Sequence, residues 1–495
     1  MQYPLVYELN ARCWLRELSV RRGEVIHLAN VPEEEFVNWK HLGFTHIWLM
    51  GVWEVGPRSR AESVADTALR QRCTGVLPDF TEADVMGSPF ALASYTVARE
   101  LGGDAGLEHF RRRLHGHGLR LLLDFVPNHV GLDHPWVAEH PEWFVHSTVA
   151  FAEGFRQSTS AGDFWLAYGK DPYFPAWADT VQLDHRRADV RTAMIEVMAG
   201  LSARCDGLRC DMAMLVLNEV FVETWREFPI AELPPATEFW AEAIEAVKTA
   251  SPVCLLVAEA YWDLEPRLLE LGFDYAYDKR LYDHLLARAP LSAHRHLIES
   301  PPGFVRSGVH FIENHDECRI AGLLTLMEHR AAALLVLALP GMRLLHEGQL
   351  TGARTHIPVQ LVRRPVESPH PEVEALYEHL LGALAGSAVG HGEGRVLGVR
   401  RASVDNPSWR NLVVIQWKAG SPAFDLVVVN LASQRAQCFA LIDIPGLERT
   451  DWFLEDQLGD ERFERAGREL QARGLFLDVG PNAAQLFHFQ PVSTF

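Results

Sequence analysis

No apolar run in this sequence is long enough to cross a bilayer. The longest, residues 331–339, falls far short of the roughly 20 apolar residues a membrane helix needs. Positive charge is also scarce. A net charge of −19 speaks against a nucleic-acid or anionic-membrane partner, because phosphate binding needs local positive charge. A neutral small molecule stays open. Met1 to Asn10 shows no basic stretch followed by an apolar one, so no signal peptide is expected. The seven cysteines (Cys13, Cys73, Cys205, Cys210, Cys254, Cys318, Cys438) are scattered and odd in number, with no CxxC pair. That argues against a disulfide framework or a zinc site and for reduced thiols in a cytoplasm. Internal repeats and low-complexity runs are absent as well.

What is present is an ordinary globular composition, 48% apolar and 22% charged, in a chain large enough for two or three domains. Up to residue 385 or so, short apolar runs alternate with helical patterns. The runs predict strands at 5–9, 45–50, 121–126, 207–212, 253–258, 273–277, 309–312 and 342–345. Val190, Met194, Val197, Met198 and Leu201 recur at helical spacing, as do Phe239, Ala243 and Val247. Residues 331–339 are apolar all round and read as a buried helix. Eight strands with intervening helices point to a closed parallel (β/α)₈ barrel. An open doubly wound sheet would carry a glycine-rich turn after its first strand, and none is there.

Two segments break the alternation. Residues 131–180 follow the third strand and are too long for an ordinary connection. They carry Trp136, Trp143, Phe164, Trp165, Tyr168, Tyr173, Phe174 and Trp177, either as a wall of a site or as a small satellite core. From residue 390 onward, runs at 396–399, 412–417, 426–431, 438–442, 475–479 and 485–489 are separated by turn residues and read as antiparallel strands. The expected organisation is a barrel over 1–130 and 181–389, an insertion over 131–180, and a C-terminal β-sandwich over 390–495.

Barrel enzymes place their chemistry at the C-terminal ends of strands. There the sequence has Asp124-Phe125-Val126-Pro127-Asn128-His129, Gly207-Leu208-Arg209-Cys210-Asp211, Val257-Ala258-Glu259 and Glu313-Asn314-His315-Asp316. Each acid alone is as well explained by a helix cap or an ion pair. Three acids on one rim (Asp211, Glu259, Asp316) repel one another and are retained only for a reason. Glycoside hydrolysis needs two carboxyl groups, one ionised and one protonated. Arg209 lies two residues before Asp211 and shares its face, which suits an ionised nucleophile. Glu259 follows an apolar run, and burial suits it to be the acid. Asp316 could stabilise positive charge, and His129 and His315 could donate to sugar hydroxyls as neutral rings.

These four segments, in this order, resemble the signature regions of the α-amylase superfamily, glycoside hydrolase family 13. The resemblance covers roughly residues 1–385. It implies a retaining mechanism with Asp211 as nucleophile, Glu259 as acid/base and Asp316 as transition-state stabiliser. It further implies Arg209, His129 and His315 as sugar contacts and Asp124 as a structural acid under Arg209. Gly87-Ser88-Pro89-Phe90 and Tyr95 fall where the family usually has Gly-Tyr-Asp…Tyr. Phe90 would be the platform under the reacting sugar, without the usual hydroxyl, and Ala91 replaces an Asp. Met214-Leu215 stand where many endo-acting members carry Lys-His, so the leaving-group side is expected to be apolar and the substrate a short α-glucoside. Asn128 matches a calcium-ligating position of many members, but Asp133, Asp163 and Asp171 are spread apart. No tight calcium site is expected, and no other cofactor.

The expected function is hydrolysis of α-glucosidic bonds in short maltooligosaccharides or small α-glucosides. The alternative is a transglycosidase or isomerase using the same intermediate, toward which Asn314-His315-Asp316-Glu317 leans. A non-catalytic carbohydrate-binding scaffold is disfavoured, because all three acids are in place.

Overall fold

The computed structural model describes residues 3–159, 162–228, 236–301, 303–420 and 422–492. Eight strands close into a barrel: β1 (Leu5–Asn10), β2 (His46–Met50), β3 (Arg120–Phe125), β4 (Gly207–Cys210), β5 (Leu255–Ala258), β6 (Tyr275–Tyr277), β7 (Gly308–His310) and β8 (Met342–His346). Each strand pairs in parallel with its neighbours in sequence, and β8 closes on β1. All eight strands read from the sequence are present. The fourth is shorter than the 207–212 expected, because the chain turns at Met212, which takes φ 41°. The fifth begins at Leu255 rather than 253, since Val253 lies exposed in a turn.

Register explains how the strand ends come to share one surface. Successive side chains alternate between the two sides of a strand. Val6, Trp48, Leu122, Val257, Tyr277, Val309, Met342 and Leu344 form one buried cluster inside the barrel. Two residues further along, toward the C-terminal rim, apolar gives way to charged. Glu8 follows Val6, Asp124 follows Leu122 and Glu259 follows Val257. Arg209 is in register with Asp124 on one side and Val257 on the other. The polar rim is thus the next layer of the barrel interior.

The helix read at 331–339 extends over Leu326–Ala338, opened by a capping box between Thr325 and Glu328. Its stretch from Ala331 to Ala338 is buried on every face. One side meets β8 and another the C-terminal sheet, so no face is left for polar residues.

After β3 the chain makes a short strand, His129–Gly131, paired antiparallel with Thr180–Gln182. Between them lies a three-stranded sheet of His146–Ser147, Gly154–Thr159 and Gly162–Ala167. Trp136 and Trp143 pack edge to face, 5.1 Å apart, against the main core. Tyr173 and Phe174 are exposed. The C-terminal region is antiparallel. A six-stranded sheet includes Leu412–Lys418, Phe424–Asn430 and Ala484–Pro491, and a three-stranded sheet is formed by Val399–Arg401, Ala436–Ala440 and Leu475–Val479. The six-stranded sheet also contains Trp452–Asp456 and Arg462–Arg465, two strands not foreseen from the sequence.

Candidate active site

Arg209 is the organising group. It is 1% exposed, so its charge cannot be met by water and must be met by carboxylates. Its Nη1 donates to Asp211 Oδ1 at 2.6 Å, and its Nη2 lies 2.8 Å from Glu259 Oε2. One guanidinium therefore brackets both acids. Glu259 also accepts from the Met212 backbone N–H at 2.7 Å and from the Tyr261 hydroxyl at 2.7 Å. The left-handed turn at Met212 carries that N–H immediately after Asp211, so the strand end that presents one acid also orients the other.

The two acids feel different fields. Burial pushes the Glu259 carboxyl up to about 7, with Arg209 opposing and the charges of Asp211 and Asp316 adding to the rise. Burial also raises the Asp211 carboxyl, but the short charge-assisted bond from Arg209 works against it and favours the ionised form. The arrangement separates the two carboxyls, with Arg209 favouring the anion on Asp211 and burial favouring the proton on Glu259.

The third acid, Asp316, sits at the loop after β7 with 44% of its side chain exposed. The surrounding protein raises its carboxyl, and the adjacent His315 more than reverses that, leaving it at about 2. His315 itself is not the neutral donor expected from the sequence. Its Nδ1 is 2.5 Å from Glu8 Oε1 and its Nε2 is 3.1 Å from Asp316 Oδ2. Burial favours the neutral ring, but these two carboxylates overrule it and hold the imidazole well above its ordinary range. Phe90 stacks beside this ring, 5.5 Å away at 30°, and the Arg209 guanidinium lies 5.4 Å from the Phe90 ring centre.

The remaining site residues lie around this centre. Burial holds the His129 imidazole down at about 4, so it is neutral, and its ring packs on Trp177 at 5.2 Å. Asp124 lies 4.0 Å from Arg209, and its oxygens accept instead from Trp48 Nε1 at 3.0 Å and the Gly51 N–H at 3.2 Å. Tyr95, placed near the site by the sequence pattern, spends its hydroxyl on the Val126 backbone N–H and C=O. Met214 and Leu215 do not form the expected apolar wall: both are buried, Met214 in the main core. They occupy a short 3₁₀ turn, Ala213–Val216, whose side chains pack inward. Beyond Glu259, Met212, Tyr261, Trp262 and Phe174 line a recess of about 340 Å³ together with six charged residues, Asp171, Asp263, Glu265, Lys279, Arg280 and Asp283. Trp262 and Tyr173 meet edge to face at 4.9 Å, which brings the insertion to this side.

Asn128 is fully committed within the protein. Its amide donates to Gln182 Oε1 at 3.1 Å, and Gln182 Nε2 donates back to its side-chain oxygen at 2.9 Å. Asp133 caps the backbone of Arg58 and Ser59, Asp163 pairs with Arg156, and Asp171 takes the Tyr173 and Phe174 N–H groups. No cluster of three or more metal-ligating side chains occurs among the described residues. Addition of a chelator is therefore expected to move the melting temperature by less than a few degrees, because no hard-oxygen cage would be emptied. A larger fall, reversed by calcium, would reveal a site built from other oxygens.

Four residues of the site were not singled out from the sequence: Glu8, Tyr261, Tyr277 and Gln182. Tyr277 places its hydroxyl 3.4 Å from Arg209 Nε. A signal existed for Glu8, a charged residue inside the apolar run of β1. Another existed for Tyr261, two residues beyond Glu259.

Comparison with known proteins agrees with the fold. The family model "Alpha amylase, catalytic domain" matches residues 38–368. This chain belongs to that family. Its relatives include the alpha-amylase MalA of Haloarcula japonica, 26% identical over 274 residues, 52% of this chain and 36% of that protein. Another is an alpha-1,4-glucan:maltose-1-phosphate maltosyltransferase of Myxococcus xanthus, 24% identical over 274 residues, 52% of this chain and 34% of that protein. The match spans about a third of the length of each. Among solved structures, the noncanonic maltogenic alpha-amylase AmyB of Thermotoga neapolitana has a TM-score of 0.66 at 19% identity, with 98% of both chains covered. An alpha-amylase from Lactobacillus plantarum has a TM-score of 0.67 at 20% identity, again with 98% of both covered. No helix among the described residues is long and apolar enough to cross a membrane.

Proposed function

We propose that this protein is a retaining enzyme acting on α-glucosidic bonds of short maltooligosaccharides or small α-glucosides, through a covalent glycosyl-enzyme. The observation that carries this reading is the Arg209 guanidinium bracketing Asp211 and Glu259, with Glu259 pushed up to about 7. Asp211 attacks the anomeric carbon while Glu259 protonates the departing oxygen. Glu259 then deprotonates the water or sugar that releases the product. Asp316 stays ionised and faces the positive charge that develops on the sugar ring. Phe90 and the neutral His129 bound the reacting sugar.

Preference for short substrates rests on the leaving-group side. Met212, Phe174, Tyr261 and Trp262 give it an aromatic and apolar patch around a small recess whose lining also carries Asp171, Asp263, Glu265, Lys279, Arg280 and Asp283. Met214 and Leu215 are buried and line none of it, and its small volume is what supports a short substrate. A transfer reaction is the second reading, supported by maltosyltransferases among the relatives. It would use the same two acids, with a sugar rather than water as acceptor.

The test is product analysis on maltose through maltoheptaose, trehalose, sucrose and soluble starch, with and without an added sugar acceptor. Proton NMR at early times should show the α-anomer first, since two inversions restore the configuration. Catalytic efficiency per chain end should be lower on starch than on the short substrates. Initial release of the β-anomer would eliminate the covalent route. Products that form only with an added acceptor would assign a transferase.

A further inference from the structure

We propose that Glu8 is a positioning residue of this site: its buried carboxylate fixes His315 as an imidazolium, and His315 in turn keeps Asp316 ionised beside the protonated Glu259. This rests on the reading of Asp211, Glu259 and Asp316 as the reacting acids.

Glu8 is 0% exposed and follows Val6 at the inward positions of β1. Its Oε1 receives both the His315 ring, at 2.5 Å, and the His315 backbone N–H, at 3.3 Å. The opposite nitrogen of the same ring is 3.1 Å from Asp316. A neutral imidazole carries one N–H and one lone pair. Nδ1 is hydrogen-bonded to Glu8, whereas Nε2 makes no hydrogen bond among the described residues and feels Asp316 as a charge 3.1 Å away; the neutral ring would leave one nitrogen's lone pair beside a carboxylate. Two protons remove that clash. The ring has little freedom to turn away. Trp48 meets it edge to face at 5.5 Å, Phe90 stacks on it, and His356 Nε2 donates to the His315 carbonyl at 2.9 Å.

The site needs this arrangement because its three acids must hold one proton in a fixed place. Asp211 has Arg209. Asp316 has only His315 within ion-pair distance among the described residues. A lone His–Asp pair could settle its proton on either partner; a second carboxylate behind the ring keeps it on the ring. Arg209 and His356 also favour the Asp316 anion, more weakly than His315 and from beyond ion-pair distance. Asp124 and Arg209 face each other 4.0 Å apart, Tyr277 lies against Arg209, and His346 is held neutral by burial and Arg319. Glu347 bonds the Asn10 N–H and Arg364. Glu8 Oε2 is buried without a hydrogen-bond partner, a local cost that packing alone gives no reason to keep.

Glu8→Gln keeps the size and an oxygen to accept from Nδ1–H, and removes only the charge. With ¹⁵N-labelled histidine, the wild-type His315 ring is expected to carry protons on both nitrogens at pH 7. In Glu8→Gln its titration should fall by about one pH unit or more. On an aryl α-glucoside kcat should be reduced about tenfold. Asp316→Asn is the second variant. With that charge gone, His315 stays doubly protonated at pH 7 only if Glu8 holds it, and this decides the matter should Glu8→Gln fail to fold. A neutral His315 in the wild type or in Asp316→Asn would overturn the proposal, as would a His315 titration in Glu8→Gln identical to wild type. The NMR readings do not depend on activity, so they stand apart from any failure of the glycosidase reading.

Discussion

Replacing Asp211 with Asn should reduce turnover on a short α-glucoside by about 10³-fold or more. The amide fills the same space and its oxygen still accepts from Arg209 Nη1, the bond that fixes the side chain at 2.6 Å. What it loses is the anion that attacks the anomeric carbon. No glycosyl-enzyme should then be trapped by an activated fluoro-sugar, as read by mass spectrometry of the intact protein. A second effect goes the other way. The Asp211 charge is one of the terms that raise Glu259, so in the Asn variant Glu259 should ionise at lower pH. That gives Arg209 a full counter-charge again, which limits the loss of stability from removing one partner of a buried ion pair. A trapped intermediate in Asp211→Asn, or turnover near wild type, would move the nucleophile elsewhere.

The barrel and its acids were legible in the sequence because their signals are local. Strand runs such as Leu121–Leu123 alternate cleanly with helices, and each acid closes its own apolar run. Arg209 lies on β4 and Asp211 one residue past its end, and their spacing of two still puts them on one face. What was not legible depends on distant partners. Glu8 meets His315 across 307 positions of sequence, so nothing near either residue announces the pair. The expectation of a neutral His315 took no account of that carboxylate. Asn128 matches a ligating position only by resemblance, and its partner Gln182, 54 residues on, is not signalled near it. Met214 and Leu215 were placed on the wall by resemblance, at the positions where endo-acting members carry Lys-His, but Met212 turns left-handed and the residues after it are buried. The strand Trp452–Asp456 was missed because it is short and ends in two acids, Glu455 and Asp456, one of which is buried.

Replacing Glu259 with Gln should also reduce turnover by about 10³-fold or more on substrates with a poor leaving group. The chemistry explains why the loss depends on substrate. Glu259 supplies a proton to the departing oxygen, and an activated aryl leaving group scarcely needs one. With such a substrate the first step should survive in Glu259→Gln. The glycosyl-enzyme on Asp211 should then accumulate, because no base remains to activate water, and added azide should speed its release. The pH profile gives a second reading. Glu259 is pushed from an ordinary 4.5 up to about 7, so it keeps its proton through the mildly acidic range and loses it as the pH rises past neutral. In the wild type kcat/KM should fall on the alkaline side near that value. In Glu259→Gln, measured with the activated substrate, that alkaline limb should be gone. The same shift predicts a stability trend. The folded protein holds a proton that the unfolded chain has released between about 4.5 and 7. Stability from this group is therefore complete below the lower value and lost as the pH climbs through the upper one. The wild-type melting temperature should show that decline and the Gln variant should lack it. An alkaline limb that persists unchanged in Glu259→Gln would show that another group donates the proton.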